Sequence, residues 1–397
     1  MYQNKCKAAV LTPILAFTMM FSGQLLSPAA AAQVPTIAIL DTAIDTSLPE
    51  FQGKILQEVC ILQWTTCPNG ETFMEGPGAA SMPANLITKN GFDHGTQMAS
   101  VFLATNPNAN IVFIKIIGNT AAGLRQPAGE PSVYNALNWV KANASKYNIQ
   151  AVSMSQGHHN LGSSGTDYCP KTPTTVQSIK DLISMGIPTF FPGGNGRDYN
   201  RIDWPSCLED SISVGHVDRQ NEISSSSNND VTKLDFFALG FFTVPGPGSV
   251  RKNIAGSSAA IQVAAANWLT LKAAKPSYSY TQLLETFRLT SVSTIGRQGT
   301  FTKLINLQGA LTYVPKELTN AEAAAKAAAE AAAAEAARAA AKAAADAAAA
   351  KAAAKAVVEA QVNAAIAAAQ AEYDLTVKVA SEKLALLKAQ WLAKLSI

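Results

Sequence analysis

The sequence predicts an α/β domain with a doubly wound, mostly parallel sheet, followed by a long α-helical tail. From about residue 33 to residue 314, short apolar segments alternate with stretches of helical periodicity, a pattern typical of strand–helix–strand units. The apolar segments are hydrophobic at successive positions, as expected for strands buried on both faces of a parallel sheet. After Glu317 the composition changes abruptly to alanine with scattered charges, which predicts a helix.

The predicted strands and helices follow one another along the domain. Strands are predicted where short runs are rich in β-branched or aromatic residues, at residues 37–40, 111–114, 151–154, 188–191 and 212–214. Helices are predicted at residues 132–147 and 175–185 from their periodicity, and at 259–271 from a run of small residues. Gly186 and Pro188 end the second helix before the next strand.

The first 32 residues have the order of an export signal. Lys5 and Lys7 precede an apolar run at residues 8–21, and residues 28–32 read Pro-Ala-Ala-Ala-Ala. A basic start, an apolar segment too short for a permanent span and a small-residue cleavage site are typical of a secretory signal peptide. We therefore predict cleavage after Ala32 and export from a bacterium, to the medium or to the periplasm and cell envelope.

The composition argues against nucleic acid and zinc as partners. The chain has 397 residues, 48% of them hydrophobic, and a formal net charge of +3, without the clustered basic and aromatic residues of a nucleic-acid surface. Four cysteines remain after the signal, and an even number in an exported protein favours disulfides. The sequence contains no Cys-x-x-Cys pair, so it predicts no zinc site. Of the three connectivities we prefer Cys60–Cys67 with Cys169–Cys207, although spacing alone proves neither.

Two candidate functional residues, Asp41 and His94, lie at the ends of predicted elements. Asp41 directly follows strand 37–40, and open α/β sheets carry active groups at the carboxyl ends of their strands. His94 precedes Gly95, which permits a tight turn, and an imidazole at the start of a helix can act as a general base. Alone, each signal is weak, because an Asp at such a place is also common in turns.

Two further candidates, Asn195 and Ser258, lie in segments of small residues. Asn195 follows strand 188–191 within Pro-Gly-Gly-Asn-Gly, where its side-chain amide can act as a donor. Ser258 opens the helix of small residues, where backbone amides and the helix dipole favour developing negative charge. Taken separately, Asn-Gly is a common turn composition and serine a common helix N-cap.

Together these segments resemble the motifs of subtilisin-like peptidases (subtilases, the S8 family) over nearly all of residues 33–314. Residues 40–45 read Leu-Asp-Thr-Ala-Ile-Asp and look like the family's Asp-Thr-Gly-Ile-Asp motif. Residues 94–99 read His-Gly-Thr-Gln-Met-Ala and are similar to His-Gly-Thr-His-Val-Ala. Residues 256–260 read Gly-Ser-Ser-Ala-Ala and resemble Gly-Thr-Ser-x-Ala. The loop around Asn195 resembles the one that carries the oxyanion-hole asparagine.

The chain departs from these motifs at several positions. Ala43 replaces glycine, Ser257 replaces threonine, and Gln262 stands where the family usually has proline, which predicts a less rigid start of the helix. Reading the last motif one residue earlier would make Ser257 the nucleophile. Gly256 would then occupy the place of the threonine, so we prefer Ser258.

The resemblance implies a serine endopeptidase that hydrolyses peptide bonds of polypeptides. Ser258 would be the nucleophile, His94 the general base and Asp41 the residue that orients His94. Asn195 would donate to the oxyanion. Substrate would be bound by a strand edge and a glycine loop, at Ser153, Ser155, Gln156, Gly157, Gly193 and Gly194. The chemistry requires no cofactor. Calcium is frequent in the family, but no loop dense in Asp and Asn assigns it a site here.

The predicted domain organisation is a signal peptide (1–32), the peptidase-like domain (33–316) and the tail (317–397). The last third of the tail has a heptad-like series of residues that could pair with another helix, at Tyr373, Val377, Ala380, Leu384, Leu387 and Trp391. Two interpretations of the tail stay open. It is either a solubilising stalk or a coiled coil for self-association or contact with the cell envelope.

A second interpretation of the whole chain also stays open. The domain would be a catalytically weak or inactive subtilase fold, displayed on the helical stalk as a binding module. The presence of all four candidate residues favours the enzyme. An α/β-hydrolase is excluded, because that fold has the order Ser, Asp, His and needs Gly-x-Ser-x-Gly.

Overall fold

The computed structural model describes residues 34–126, 128–158, 169, 172–230, 232–315 and 320–395. The predicted signal peptide therefore lies outside the described residues. The chain divides into two compact units, one ending at Val314 and the other beginning at Pro315.

The first unit contains the strands and all but one of the described helices. The strands are β1 (Thr36–Asp41), β2 (Ile55–Ile61), β3 (Phe73–Glu75), β4 (Asn110–Lys115), β5 (Ile149–Met154), β6 (Thr189–Pro192), β7 (Ile212–Val217), β8 (Phe236–Leu239), β9 (Phe241–Pro245), β10 (Arg251–Ala255), β11 (Val292–Gly296) and β12 (Gly299–Leu304). The helices are α1 (Ala84–Ile87), α2 (His94–Thr105), α3 (Glu130–Tyr147), α4 (Pro173–Ser184), α5 (Ser257–Ala274), α6 (Tyr280–Thr290) and α7 (Leu307–Thr312).

Most strands belong to one 10-stranded sheet with the order β11-β12-β8-β7-β6-β5-β1-β4-β2-β3. Neighbours from β2 to β12 are parallel, and only the edge strands β3 and β11 are antiparallel to theirs. β9 and β10 form a separate antiparallel pair. The predicted mostly parallel sheet is therefore confirmed, and all five predicted strands lie in it.

Helices cover both faces of this sheet, as β1 illustrates. Every residue of β1 is buried, because successive side chains point to opposite faces and both faces are covered. Ile37 and Ile39 belong to a core cluster that includes residues of α2 and α5. Ala38 and Leu40 belong to a second cluster that includes residues of α3 and α4. The sheet is thus doubly wound, as predicted.

The chain reverses its direction of progress across the sheet at β1. β1 has β4 on one side and β5 on the other. The chain leaves β1 for β2, on the β4 side of the sheet, and leaves β5 for β6, on the opposite side. In open α/β sheets, the crevice at the carboxyl ends of such strands is where ligands bind. The fold therefore places Asp41, the last residue of β1, at the expected position of a functional site.

Both preferred disulfide pairings are present in the structure. Cys60 in β2 is bonded to Cys67, with a sequence separation of 7. Cys169 is bonded to Cys207, with a sequence separation of 38. The second bond joins the segment before α4 to the loop between β6 and β7.

The second unit is one helix, α8 (Asn320–Leu395), which confirms the predicted helical tail. Its described large apolar side chains are exposed, among them Tyr373, Val377, Leu384, Leu387 and Trp391. In the part of the chain that the structure describes, no helix combines the length and the hydropathy that crossing a membrane requires.

Candidate active site

Asp41 and His94 form the central pair of the site. Asp41 is fully buried at the end of β1, and His94 is the first residue of α2. His94 Nδ1 lies 2.8 Å from Asp41 Oδ1, which also accepts the Thr42 N–H at 2.7 Å. The proton between carboxylate and imidazole must come from the ring, so a neutral His94 carries it on Nδ1. Nε2 is then free to accept a proton.

The start of α2 is held against the end of β1 by Thr42 and Gly95. The Thr42 hydroxyl donates to Phe92 O at 2.9 Å and accepts the Gly95 N–H at 2.9 Å. A Cβ at position 95 would lie 2.5 Å from Ala43 O and 2.6 Å from Phe113 Cζ. Only glycine allows this approach, which brings the His94 ring to the carboxylate.

Ser258 lies in the first turn of α5 and is bonded to the segment that follows β5. Its hydroxyl donates to Ser155 O at 3.3 Å, and the Ser155 hydroxyl donates to Ser258 O at 3.0 Å. Between the described residues His94 and Ser258, the structure has no hydrogen bond. The hydroxyl is thus turned towards the segment after β5.

Gln156 links that same segment to the Asp41–His94 pair. Its Nε2 donates to Asp41 Oδ1 at 3.0 Å and lies 3.3 Å from His94 Nδ1. Because Ser155 and Gln156 are consecutive, one short segment contacts both the pair and Ser258. The structure therefore brings these three predicted residues to the same edge of the sheet.

Asn195 has a fixed amide orientation next to the start of α5. Its Oδ1 accepts the Ser257 N–H at 2.9 Å and the Ser257 hydroxyl at 3.1 Å. This arrangement identifies Nδ2 as the amide end that remains available to donate. The Ser258 N–H has no acceptor among the described residues, as is usual in the first turn of a helix. Two N–H donors are therefore available on this side of Ser258.

Ser257, the alternative nucleophile, has a different environment from Ser258. It is fully buried, and its hydroxyl accepts the Gly194 N–H at 3.2 Å while it donates to Asn195. Gly256, which precedes it, has a φ of 153°, and a Cβ there would lie 3.0 Å from Asn195 Nδ2. These contacts hold the asparagine loop against α5 and leave Ser258 as the partly exposed serine.

The six residues predicted to bind substrate differ in their surroundings. Ser153 is fully buried and donates to Gln262, whereas Gly157 is exposed at the end of its segment. The glycines before Asn195 pack tightly. A Cβ at Gly193 would lie 2.7 Å from Leu234 Cδ2, and one at Gly194 2.3 Å from Asn228 Nδ2. These two glycines therefore serve the packing of the loop.

Two side chains contact residues of the site although the sequence did not predict these contacts. Gln262 bonds both Ser153 and Ser155, so it fastens α5 to β5 where the sequence predicted a less rigid helix. Arg125 donates from Nη2 to Gln156 Oε1. Arg125 also borders a cavity of about 230 Å³, lined by Arg125, Ala128, Met154, Gln156, Gly157, His158 and Trp204.

The described residues contain no group of three or more His, Cys, Asp or Glu side chains that could hold a metal ion.

Comparison with known sequences identifies the family. The sequence model of the subtilase family matches residues 33–310. An alkaline protease of Alkalihalobacillus alcalophilus is 25% identical over 226 residues, which cover 54% of each chain. Subtilisin Savinase of Lederbergia lenta is also 25% identical over 226 residues, covering 54% of this chain and 76% of the relative. The chain spans about half the length of the first of these relatives.

Solved structures show the same fold. A protease from Pseudoalteromonas arctica superposes with a TM-score of 0.56 at 19% identity, covering 70% of this chain and 89% of its own. A cold-adapted subtilisin-like serine proteinase gives a TM-score of 0.51 at 18% identity, covering 68% and 87%. The fold is therefore subtilisin-like. Since the family pattern extends over most of the sheet domain, the chain belongs to the subtilase family.

Proposed function

We propose that this protein is an exported serine endopeptidase that hydrolyses peptide bonds of polypeptides. The observation that carries the proposal is the 2.8 Å contact between His94 Nδ1 and Asp41 Oδ1, at the sheet edge where Ser258 lies in the first turn of α5. Family membership supports it, and two relatives are named alkaline protease and Subtilisin Savinase.

In the proposed mechanism, Ser258 attacks the scissile carbonyl carbon while His94 Nε2 accepts the hydroxyl proton. Rotation about the Cα–Cβ bond of Ser258 would exchange the bond to Ser155 O for one to His94, since catalytic hydrogen bonds often form fully only with substrate bound. Asp41 keeps the Nδ1 proton in place and stabilises the imidazolium. His94 then returns the proton to the leaving amine, and water hydrolyses the acyl-enzyme by the same steps.

Asn195 Nδ2 and the Ser258 N–H are the proposed donors to the oxyanion of the tetrahedral intermediate. The bonds of Asn195 Oδ1 to Ser257 support this role, because they fix the amide with its donor end free. Loss of one such donor costs about 100- to 1,000-fold in kcat. We propose that the substrate lies along residues 155–157 as an added strand. None of these steps requires a cofactor.

Export and the role of the tail are also part of the proposal. The sequence pattern of residues 1–32 supports a signal peptide, and the two disulfides fit an oxidising compartment. The exposed apolar residues of α8 support self-association or envelope contact through a coiled coil. Sedimentation of the parent and of Leu387→Glu tests self-association, which the charged variant should weaken. A parent that sediments as a monomer would contradict it.

A second candidate function is a binding module with little or no catalytic activity. It is favoured by one observation, the bond of Ser258 Oγ to Ser155 O in place of a bond to His94. In that case the domain would bind polypeptides without cleaving them.

One experiment separates the two functions. The purified protein, Ser258→Ala and Ser257→Ala would be tested for casein cleavage and for labelling by a fluorophosphonate probe. We expect the parent to cleave and to be labelled, and Ser258→Ala to do neither. If the label survived in Ser258→Ala but was absent from Ser257→Ala, Ser257 would be the nucleophile. A folded parent without cleavage or label would support the binding module.

A further inference from the structure

Gln156 contacts the Asp41–His94 pair with its side-chain amide. It is 7% exposed, and its amide nitrogen lies 3.0 Å from Asp41 Oδ1 and 3.3 Å from His94 Nδ1. Both neighbouring atoms matter to the proposed chemistry, because they share the proton that fixes the tautomer of the ring. A change in the Gln156 amide would therefore act directly on this contact.

The two orientations of the Gln156 amide would have opposite effects. With NH₂ towards Asp41, the amide donates to the carboxylate, as in the structure. With the ends exchanged, Oε1 would face the carboxylate oxygen and repel it. The same oxygen could also accept the Nδ1 proton of His94. The ring would then be drawn away from Asp41, with its Nε2 misdirected.

Arg125 selects the productive orientation. Its guanidinium donates to Gln156 Oε1, so the carbonyl end of the amide faces a cation and the NH₂ end faces the carboxylate. No carboxylate of the described residues forms an ion pair with Arg125. Burial lowers the pKa of Arg125, whereas the charges of Asp41 and Asp93 raise it. The carboxylate with the larger effect on the cation is thus Asp41, in the site itself.

We propose that Arg125 and Gln156 are positioning residues of the peptidase site, which hold Asp41 in place and keep the Nδ1–H of His94 directed at that carboxylate. This inference rests on the proposed function. It assigns to Gln156 an orienting contact in place of the substrate contact predicted from the sequence. Arg125 acts through Gln156 and has no hydrogen bond to the reacting residues.

The competing role for Arg125 is recognition of an acidic substrate side chain. The cavity of about 230 Å³ that it borders also has His158 and the aromatic ring of Trp204 in its lining. A substrate carboxylate bound there would make Arg125 important for KM with acidic peptides alone. A positioning role would instead affect kcat with every peptide.

The test measures kcat and KM for the parent, Arg125→Met, Arg125→Lys and Gln156→Leu. Arg288→Met is the control, because Arg288 is an exposed arginine paired with Asp235 and lies outside the site. Each protein is assayed on an uncharged peptide and on the same peptide with one glutamate. We expect Arg125→Met and Gln156→Leu to lose about tenfold or more in kcat on both peptides, with KM nearly unchanged. Arg125→Lys should recover part of the loss, and Arg288→Met should resemble the parent.

A second readout does not depend on activity. The proton between His94 Nδ1 and Asp41 would be followed by NMR as a strongly downfield resonance, identified by its loss in Asp41→Asn. We expect this resonance to shift or broaden in Arg125→Met and Gln156→Leu and to stay unchanged in Arg288→Met. If the parent shows no peptidase activity, the proposed function fails, while this resonance still tests the positioning role.

Three results would overturn the inference. An unchanged kcat together with an unchanged resonance in Gln156→Leu would show that the amide does not orient the pair. A KM increase confined to the glutamate peptide in Arg125→Met would assign Arg125 to substrate recognition. Losses in Arg288→Met as large as those in Arg125→Met would show that removing an arginine lowers activity whatever its contacts.

Discussion

Gln262 Nε2 donates a 2.9 Å hydrogen bond to Ser155 Oγ, and this bond joins α5 to the segment that follows β5. The other end of the same amide accepts the Ser153 hydroxyl at 3.0 Å. All three side chains are buried, and Ser155 exchanges two hydrogen bonds with Ser258. Gln262 thus determines the position of the proposed nucleophile relative to β5.

Replacing Gln262 by alanine should therefore lower both stability and activity. The buried Ser153 hydroxyl would lose its acceptor, and the Ser155 hydroxyl would lose a donor while it keeps its bond to Ser258 O. A buried group left unsatisfied costs about 1–3 kcal/mol. We expect the free energy of unfolding, measured in urea, to fall by about 3 kcal/mol. Gln177→Ala is the control, because Gln177 is exposed and bonded to Asp181; it should change stability by less than about 0.5 kcal/mol. Equal midpoints for the two variants would contradict the prediction.

Asp41→Asn should abolish activity while the domain stays folded. An asparagine keeps the size of the side chain but cannot stabilise the imidazolium or hold the correct tautomer, and in a serine protease triad this change lowers kcat about 10⁴-fold. We expect a loss of that order with a chromogenic peptide. Asp181→Asn, at a partly exposed ion pair with Lys141, should retain full activity. More than a tenth of the parent's kcat in Asp41→Asn would argue against the proposed role.

The fold could be predicted because its central strands are short apolar runs. The candidate residues of the site could be predicted because each adjoins the end of a buried strand or the start of a helix. β1 and β4–β7 are short apolar runs, and Asp41 and His94 adjoin a strand end and a helix start. β10 escaped prediction because it alternates exposed and partly buried residues and lies in a separate hairpin. Its pattern lacks the continuous hydrophobicity of the central strands.

The polar contacts around the site could not be predicted from local sequence. Gln156 and Asp41 are separated by 115 residues, and Arg125 and Gln156 by 31. The parallel pairing of β1 with β5 brings Gln156 to Asp41, whereas Arg125 reaches Gln156 from the segment between β4 and α3. Gln262 was identified as a departure from the family's proline, but its bonds to Ser153 and Ser155 depend on how α5 packs against β5. Pairwise contacts of this kind follow from tertiary structure and have no local signature.

Because His216 is buried, we expect the folded protein to lose stability in mild acid. Its side chain is fully buried in β7, and burial lowers its pKa from 6.5 to about 4. Between these values the unfolded chain binds a proton that the folded protein excludes. Stability conferred by the neutral ring is therefore present above pH 6.5 and is lost as pH falls towards 4, by about 3 kcal/mol in total.

The measurement is the urea midpoint of the parent and of His216→Gln at several pH values between 7 and 4. We expect the variant to be less stable at pH 7 but to lose less stability on acidification. His158→Gln is the matched control, because His158 is exposed at the end of its segment, and it should follow the parent. If the urea midpoint of His216→Gln depended on pH as strongly as that of the parent, groups other than His216 would be responsible for the loss of stability in acid.

The two disulfides should contribute unequally to stability. A cross-link lowers the entropy of the unfolded chain, and the effect grows with the length of the closed loop. The sequence separation is 38 for Cys169–Cys207 and 7 for Cys60–Cys67, which gives about 4 and about 2 kcal/mol. The double variants Cys169→Ala/Cys207→Ala and Cys60→Ala/Cys67→Ala would be compared by urea unfolding under oxidising conditions. A larger loss from the short loop would show that packing around the buried Cys60, and not chain entropy, dominates its contribution.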